Sequence, residues 1–125
     1  MRTMLIGAVI LLACLSGAAR ADEASAVKAV EKLGGKITRD DKLPGKPVIG
    51  VDLYGAQVTD AGLKELKDLN QLTSLDLHQT QVTDAGLKEL KDLKQLTSLN
   101  VYETQVTANG VADLQKALPG CKITR

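Results

Sequence analysis

Aromatic side chains are almost absent from this chain of 125 residues. It contains no Phe and no Trp, and two Tyr and one His are its only ring-bearing side chains apart from Pro. Large aromatic rings dominate the packing of most protein cores. A core of that kind is excluded here, and the interior must be built from aliphatic side chains.

A charge excess of one sign and a long hydrophobic run are also missing. Sixteen Lys and Arg stand against fifteen Asp and Glu, which gives a formal net charge of +1. Binding to nucleic acid or to an anionic membrane needs a basic excess, so we predict neither partner. The apolar run from Met4 to Leu15 is well short of the ~20 residues of a membrane-spanning helix.

The N-terminal residues 1–21 have the three parts of a secretory signal peptide. Arg2 gives a positive start, the apolar run follows, and Ala19-Arg20-Ala21 offers small residues at the two positions that a signal peptidase reads. We expect cleavage before Asp22 and export to the periplasm or the outside of the cell. One alternative is open: Leu11-Leu12-Ala13-Cys14 resembles a lipobox, and lipidation of Cys14 would tether the protein to a membrane.

Cleavage would leave residues 22–125, a length that suits a single domain. This part has fourteen basic and fifteen acidic residues, and Cys121 is its only cysteine. No intrachain disulfide is then possible, although small exported domains commonly rely on disulfides. We expect Cys121 to pack as a small apolar residue.

What the chain does have is an internal repeat. Val58–Gln81 and Val82–Gln105 align at an offset of twenty-four residues and are identical at nineteen of twenty-four positions. Partial copies flank them, Val48–Gln57 before and Val106–Ile123 after. A fixed period in the twenties is typical of a solenoid, in which each unit buries its apolar face against the next.

Each unit has two halves with different hydrophobic periods. Leu75 and Leu77 alternate with polar residues as in a strand, whereas Leu87, Leu90 and Leu93 share one side of a helix predicted over Asp84–Leu93. These five leucines should be buried. We predict four parallel strands, each of the first three followed by a helix on the opposite side; the strands are expected near 49–53, 73–77, 97–101 and 121–124.

The pattern LxxLxLxxTxVTDAGL resembles the leucine-rich repeat, most closely a bacterial sub-class with 24-residue units. The resemblance covers about residues 48–123 and implies a short α/β solenoid with parallel strands on its concave side and helices on its convex side. In the family, an Asn side chain bonds the backbone of the adjacent turn. Thr80 and Thr104 stand at that position and can do the same, but Ala56 in the first unit departs from the pattern.

The chain ahead of the repeats reads as an N-terminal cap over residues 22–47. It comprises a helix over Glu23–Leu33, with Ala24, Val27, Val30 and Leu33 on one face, then a strand at Lys36–Arg39 and a loop. Residues 48–125 form the repeat domain with its own C-terminal cap. Such caps cover the core that a solenoid exposes at its two ends.

Equivalent positions of stacked strands form rows about 4.8 Å apart from strand to strand. One outward row is Tyr54/His78/Tyr102, which holds all the rings just counted, and the row beside it is Asp52/Asp76/Asn100. Four of the five differences between the full copies fall at 76–79 against 100–103. These six residues are our candidate binding site, because aromatic anchors are frequent at binding surfaces; tolerated variation at a solvated surface is the alternative.

Catalytic and metal-binding interpretations are weaker. Ser74, Asp76 and His78 are the residue types of a hydrolytic triad, but on one strand they project in parallel with no pocket or oxyanion donors. Asp52, Asp76 and His78 are an undemanding ligand set for a divalent ion. We therefore predict no catalytic residues, no metal and no cofactor.

The function predicted from sequence is that of a secreted, non-enzymatic and monomeric module that binds another protein through its concave strand face. Part of this expectation is what the family resemblance implies, since a fold alone does not dictate function. A carbohydrate- or cell-wall-binding module is the alternative, because Tyr, Asp and Asn also stack on and hydrogen-bond sugars.

Overall fold

A computed structural model describes residues 23–125 of the protein. The expected signal peptide at 1–21, the cleavage before Asp22 and the Cys14 alternative lie outside the described residues.

The N-terminal helix α1 spans residues 23–32 and buries Ala26, Val27 and Val30. Ala24, which we had placed on the buried face, is exposed. Since an α-helix turns by about 100° per residue, the inward face is centred near Val30, and Ala24 lies beyond its edge. The chain leaves the helix at Gly34, whose φ of +79° is the left-handed conformation typical of the residue after a helix.

Five strands form one mostly parallel sheet in chain order. β1 at the edge runs antiparallel to β2, and the pairs from β2 to β5 are all parallel. The four parallel strands predicted from the repeat are confirmed to within one residue at each end. The strands are β1 (Lys36–Arg39), β2 (Val48–Asp52), β3 (Ser74–Asp76), β4 (Ser98–Asn100) and β5 (Lys122–Thr124).

A helix follows each of β2, β3 and β4, as predicted, because parallel neighbours need a crossover connection. These helices are α2 (Asp60–Leu63), which continues as a 3₁₀ segment (Lys64–Asp68), α3 (Asp84–Lys88) and α4 (Ala108–Ala117). The register of the sheet repeats the sequence offset of 24 residues: Val51 pairs with Leu75, and Leu75 pairs with Leu99.

The predicted helix over Asp84–Leu93 is wrong beyond Lys88. After α3 the chain continues in turns in which the amide of Leu90 bonds the carbonyl of Leu87, and that of Leu93 bonds the carbonyl of Leu90, both at 3.0 Å. Bonds across three residues are those of a 3₁₀ helix, whose side chains recur at every third position. The strict spacing of three between these leucines therefore suits 3₁₀ turns better than an α-helix.

One aliphatic core joins the sheet to the helices. Leu75, Leu77, Leu87, Leu90 and Leu93 are each at most 1% exposed, which confirms the predicted burial. Cys121 is also buried in this core, and burial raises the pKa of its thiol. The expectation that Cys121 packs as a small apolar residue is confirmed.

Successive copies are linked by a carboxylate that bonds the next copy. Asp60 accepts hydrogen bonds from the amide of Thr83 at 2.8 Å and from its hydroxyl at 2.6 Å. Asp84 accepts the same pair of bonds from Thr107. Thr83 also accepts a bond from Ala85 at the start of α3, as an N-cap should. Each Thr therefore begins its own helix and is held by the copy before it.

The glycine of the VTDAGL motif provides room for this link. A Cβ at Gly86 would collide with the Asp60 carboxylate and would stand 2.9 Å from Leu63. A Cβ at Gly110 would collide with Asp84 in the same way. The motif thus combines an acceptor, a donor and the space that brings them together.

The Thr hydroxyls of the LxxLxLxxT pattern bond the backbone of the turn beside them. Thr80 donates to the carbonyl of Leu77 and Thr104 to that of Val101, both at 2.6 Å. A Thr side chain is shorter than an Asn side chain. Its hydroxyl therefore bonds a carbonyl only three residues away in the chain. Side-chain bonds between copies come from the Asp–Thr pairs and from the hydroxyls of Thr73 and Thr97, which donate to the carbonyls of Ile49 at 3.0 Å and Thr73 at 3.1 Å.

The N-terminal segment is fastened to β2. Glu23 in α1 accepts a bond from Arg39 at 2.8 Å and another from the amide of Val48 at 3.2 Å. Across residues 23–125, no helix is long and apolar enough to cross a membrane.

Candidate functional site

The candidate row of rings begins where three parallel strands end. Asp52, Asp76 and Asn100 are aligned across the sheet, and hydrogen bonds continue past them. The amide of Gly55 bonds the carbonyl of His78 at 2.9 Å, and the amide of Gln79 bonds that of Tyr102 at 3.0 Å. The backbone therefore stays in register at the rings.

Tyr54, His78 and Tyr102, which we call the ring row, contact one another in line. Ring centroids are 4.9 Å apart from Tyr54 to His78 and 5.2 Å apart from His78 to Tyr102. Each step is close to the spacing of adjacent strands. Tyr54 is 57% exposed and Tyr102 is 48% exposed, whereas the other large apolar side chains of residues 23–125 are mostly buried. The alignment predicted from the sequence is present.

The rings do not form a flat platform. Tyr54 is inclined to His78 by 48°, and His78 to Tyr102 by 59°. Tilted pairs at these distances are the favourable geometry for aromatic groups. The ring row is consequently a ridge with several ring faces and edges rather than one plane.

The Asp52/Asp76/Asn100 row supports the rings. Each side chain accepts a hydrogen bond from the amide two residues later, at 2.9 Å for Tyr54, 2.9 Å for His78 and 3.0 Å for Tyr102. This local bond is the Asx turn that Asp and Asn favour. It fixes the backbone from which each ring emerges, so these three residues position the ring row.

A third row, absent from our sequence-based site, lies directly after the rings. It consists of Gly55, Gln79 and Glu103, and all three have a left-handed backbone with φ of +68°, +58° and +56°. Residues other than Gly rarely adopt this backbone conformation, because it costs them roughly 1–2 kcal/mol. Two of the three positions nevertheless carry a long polar side chain.

Gln79 and Glu103 join the ring row through hydrogen-bonding contacts. The amide nitrogen of Gln79 donates to the carboxylate of Glu103, and the same carboxylate oxygen lies 3.6 Å from Nε2 of His78. The available sequence signal was the run 76–79 against 100–103, because the Gln/Glu pair closes that run. The rings of this run point to a binding surface from sequence alone, whereas its last position gains meaning only from the contact with His78.

Two cavities bear on the location of a site. One of about 320 Å³ lies on the outer face of β1, β2 and β3, bordered by Thr38, Gly50, Asp52, Ser74 and Asp76 among others. It reaches the row that supports the rings. A larger one of about 540 Å³ lies between α3 and α4, where Leu87, Leu114 and Lys91 contribute to its wall. No ring-row residue lines it.

The geometry around Ser74, Asp76 and His78 does not form a triad. The Asp76 carboxylate bonds the backbone amide of His78, and Glu103 is the carboxylate beside the imidazole. In the described part of the chain, no group of three His, Cys, Asp or Glu side chains is placed to hold a metal ion. The arrangement can therefore make contacts, but it has no assembled nucleophile and base.

Comparison with known proteins adds no family assignment. No protein-family model matches the chain, and no curated protein resembles it significantly.

Proposed function

We propose that this protein is a short leucine-rich-repeat solenoid that binds another protein through the ring row. The proposed module is non-enzymatic, needs no cofactor and acts as a monomer. The observation that carries the proposal is the ring row itself: the chain has two Tyr and one His, and these three side chains contact one another on one sheet face, with both Tyr about half exposed.

Contacts that recur from one repeat copy to the next support the solenoid. Strand pairing, the Asp–Thr links and the leucine core all recur at the 24-residue offset of the sequence repeat. In a solenoid each unit packs against its neighbours in this repeated manner. Residues 22–47 would then cap the first unit, and residues 48–125 would be the repeat domain with its C-terminal cap.

The rigid support of the rings suits a binding role. Tyr has few rotatable bonds, and each ring is fixed at its base by an Asx turn and along its side by a neighbouring ring. Groups that are already ordered lose little conformational entropy on binding. The inclination of the rings favours the uneven surface of a protein over the flat face of a sugar ring, so carbohydrate binding is the outcome that the experiment must separate.

Export is the second part of the proposal. A signal peptide at 1–21 would send residues 22–125 to the periplasm or the cell exterior, and the partner would be found there. An intact mass of the protein from its native host tests this directly. We expect a chain that begins at Asp22; a mass with an acylated Cys14 would replace release by tethering.

The binding role is tested by comparative capture from the native cell envelope. Wild-type protein and a variant with Tyr54→Ala, His78→Ala and Tyr102→Ala are immobilised at equal density, with Lys64→Ala/Lys88→Ala as a matched control. We expect a protein that is retained by wild type and control but lost by the triple variant. Retention of the same proteins by all three would contradict the proposal, and ring-dependent binding on a glycan array would favour the carbohydrate alternative.

A further inference from the structure

The ring row adjoins the half-exposed carboxylate of Glu103. Glu103 has a side chain 47% exposed, and its carboxylate lies 3.6 Å from the imidazole of His78. It is held at a left-handed backbone position where Gly stands in the first copy. The position is conformationally unfavourable for Glu, and the result is a negative charge beside the central ring of the ring row.

The charges around the rings are mainly negative. Asp52 and Asp76 precede Tyr54 and His78 by two residues, and Glu103 follows Tyr102. The lysine nearest in register is Lys36, which pairs with Asp52 at the edge of the sheet. Arg125 is directed elsewhere, since its Nε bonds the carbonyl of Val106.

Aromatic faces and carboxylates together recognise cations. The face of a Tyr ring carries partial negative charge and attracts ammonium and guanidinium groups within about 6 Å of its centre. A guanidinium can lie against a ring while its N–H groups donate to a carboxylate. His78 contacts both elements, because its ring centroid lies 5.2 Å from that of Tyr102 and its Nε2 lies 3.6 Å from the Glu103 carboxylate.

We infer that the ring row and Glu103 form a site for an arginine or lysine side chain of a basic segment in the partner protein. This inference rests on the proposed function and specifies the chemistry of its partner. The cation lies against Tyr102 and pairs with Glu103, and Tyr54 contacts the next residues of the segment.

His78 joins the rings to the carboxylate. The groups that face its imidazole are the rings of Tyr54 and Tyr102 and the carboxylate of Glu103. The Asp76 carboxylate is turned to the backbone amide of His78 instead.

The single histidine provides an unambiguous probe. The full chain, produced without a histidine tag, is titrated with tetra-arginine peptide at fixed ionic strength while the ring protons of His78 and the two Tyr are followed by NMR. We expect saturable shifts of these signals with tetra-arginine and none with tetra-glutamate. Equal shifts with both peptides, or no ring shift with tetra-arginine, would overturn the inference.

Two variants separate the site from general charge effects. Glu103→Gln should weaken tetra-arginine binding about two- to fivefold, the range for an exposed ion pair, and the isosteric Glu65→Gln on the 3₁₀ segment should not. Equal tetra-arginine binding by Glu103→Gln and wild type, or equal weakening by Glu65→Gln, contradicts the assignment.

Failure of this inference is distinguishable from failure of the proposed function. If a captured partner needs the ring row but binds equally after its own Arg and Lys residues are changed to Gln, the protein-binding role stands and the cation site is wrong. If tetra-arginine binds at the rings but no partner depends on them, the cation site stands and the protein-binding role is wrong.

Discussion

Asp84 accepts two hydrogen bonds from Thr107, one from its amide at 2.8 Å and one from its hydroxyl at 2.5 Å, although 23 residues separate the two in sequence. Asp60 and Thr83 are related in the same way. The third helix start breaks the series, because Ala108 stands where the earlier copies have Asp. The Asp–Thr links thus depend on two carboxylates.

Removing one of these carboxylates should lower the stability of the protein. Asp60→Ala leaves the Thr83 amide and hydroxyl without their acceptor, and we expect a loss of about 1–3 kcal/mol in the free energy of unfolding. Asp92→Ala, at an exposed position, should change it by less than about 0.5 kcal/mol. Urea denaturation of the two variants measures both; equal values would show that the Asp–Thr link contributes nothing.

The Asp84 link should make stability depend on acid pH. Hydrogen bonds from the Thr107 side chain and amide lower the pKa of Asp84 below its ordinary value of 3.8. The unfolded chain therefore binds the proton more readily, so the contribution is complete above that value and is lost as the pH falls through the lower pKa of the folded state. The stability deficit of Asp84→Asn should accordingly shrink between about pH 6 and about pH 3; a deficit that is constant across this range would refute the assignment.

Gly86→Ala should destabilise the protein, against the usual rule. Replacing Gly by Ala inside a helix ordinarily adds roughly 0.5–1 kcal/mol of stability. Here the added Cβ collides with the Asp60 carboxylate and crowds Leu63, and we expect a loss of roughly 1–3 kcal/mol as for an overpacked site. Gly120→Ala is the matched control, because nothing lies within 4 Å of its Cβ. A melting temperature of Gly86→Ala that equals or exceeds that of wild type would contradict the predicted collision at Gly86.

The leucine core should be sensitive to single truncations. Leu75 is 1% exposed, and Leu75→Ala should cost about 2–5 kcal/mol because it removes buried methyl groups and leaves a cavity. Leu43 is 45% exposed, and Leu43→Ala should change stability by less than about 0.5 kcal/mol. Similar denaturation midpoints for the two variants would contradict the core described here.

The sheet was predictable because periodicity reports burial. Alternation at Leu75 and Leu77 located a strand, and the 24-residue offset located its parallel neighbours. The length of α3 was not predicted, since leucines three residues apart fit both helical types and only the hydrogen bonds distinguish them. The Asp–Thr links were not predicted either, because a contact across 23 residues leaves no periodic trace within one copy.

The site was predictable in its composition and less so in its chemistry. Scarcity of rings in the sequence indicated the ring row, and the register of the strands followed from the repeat. The support given by Asp52, Asp76 and Asn100 is a local turn that the sequence permits but does not require. Glu103 escaped notice because its importance depends on a left-handed backbone and on its distance from His78.

The ring row must also be removable without loss of the fold. Each ring contact adds about 0.5–1.5 kcal/mol, so changing Tyr54, His78 and Tyr102 together to Ala should lower stability by roughly 1–3 kcal/mol. The variant should keep the circular dichroism spectrum of the wild type. Loss of that spectrum would assign the rings to the fold itself.

The most direct test of the central claim is the dissociation constant of a purified native partner for wild type and for the triple ring variant. The account predicts binding weakened by well over tenfold in the triple variant, since truncation of a single hot-spot side chain costs about 2 kcal/mol or more. Lys64→Ala/Lys88→Ala should bind as wild type does. Equal dissociation constants for wild type and the folded triple variant would contradict the account and return the ring row to the ordinary surface of a sheet.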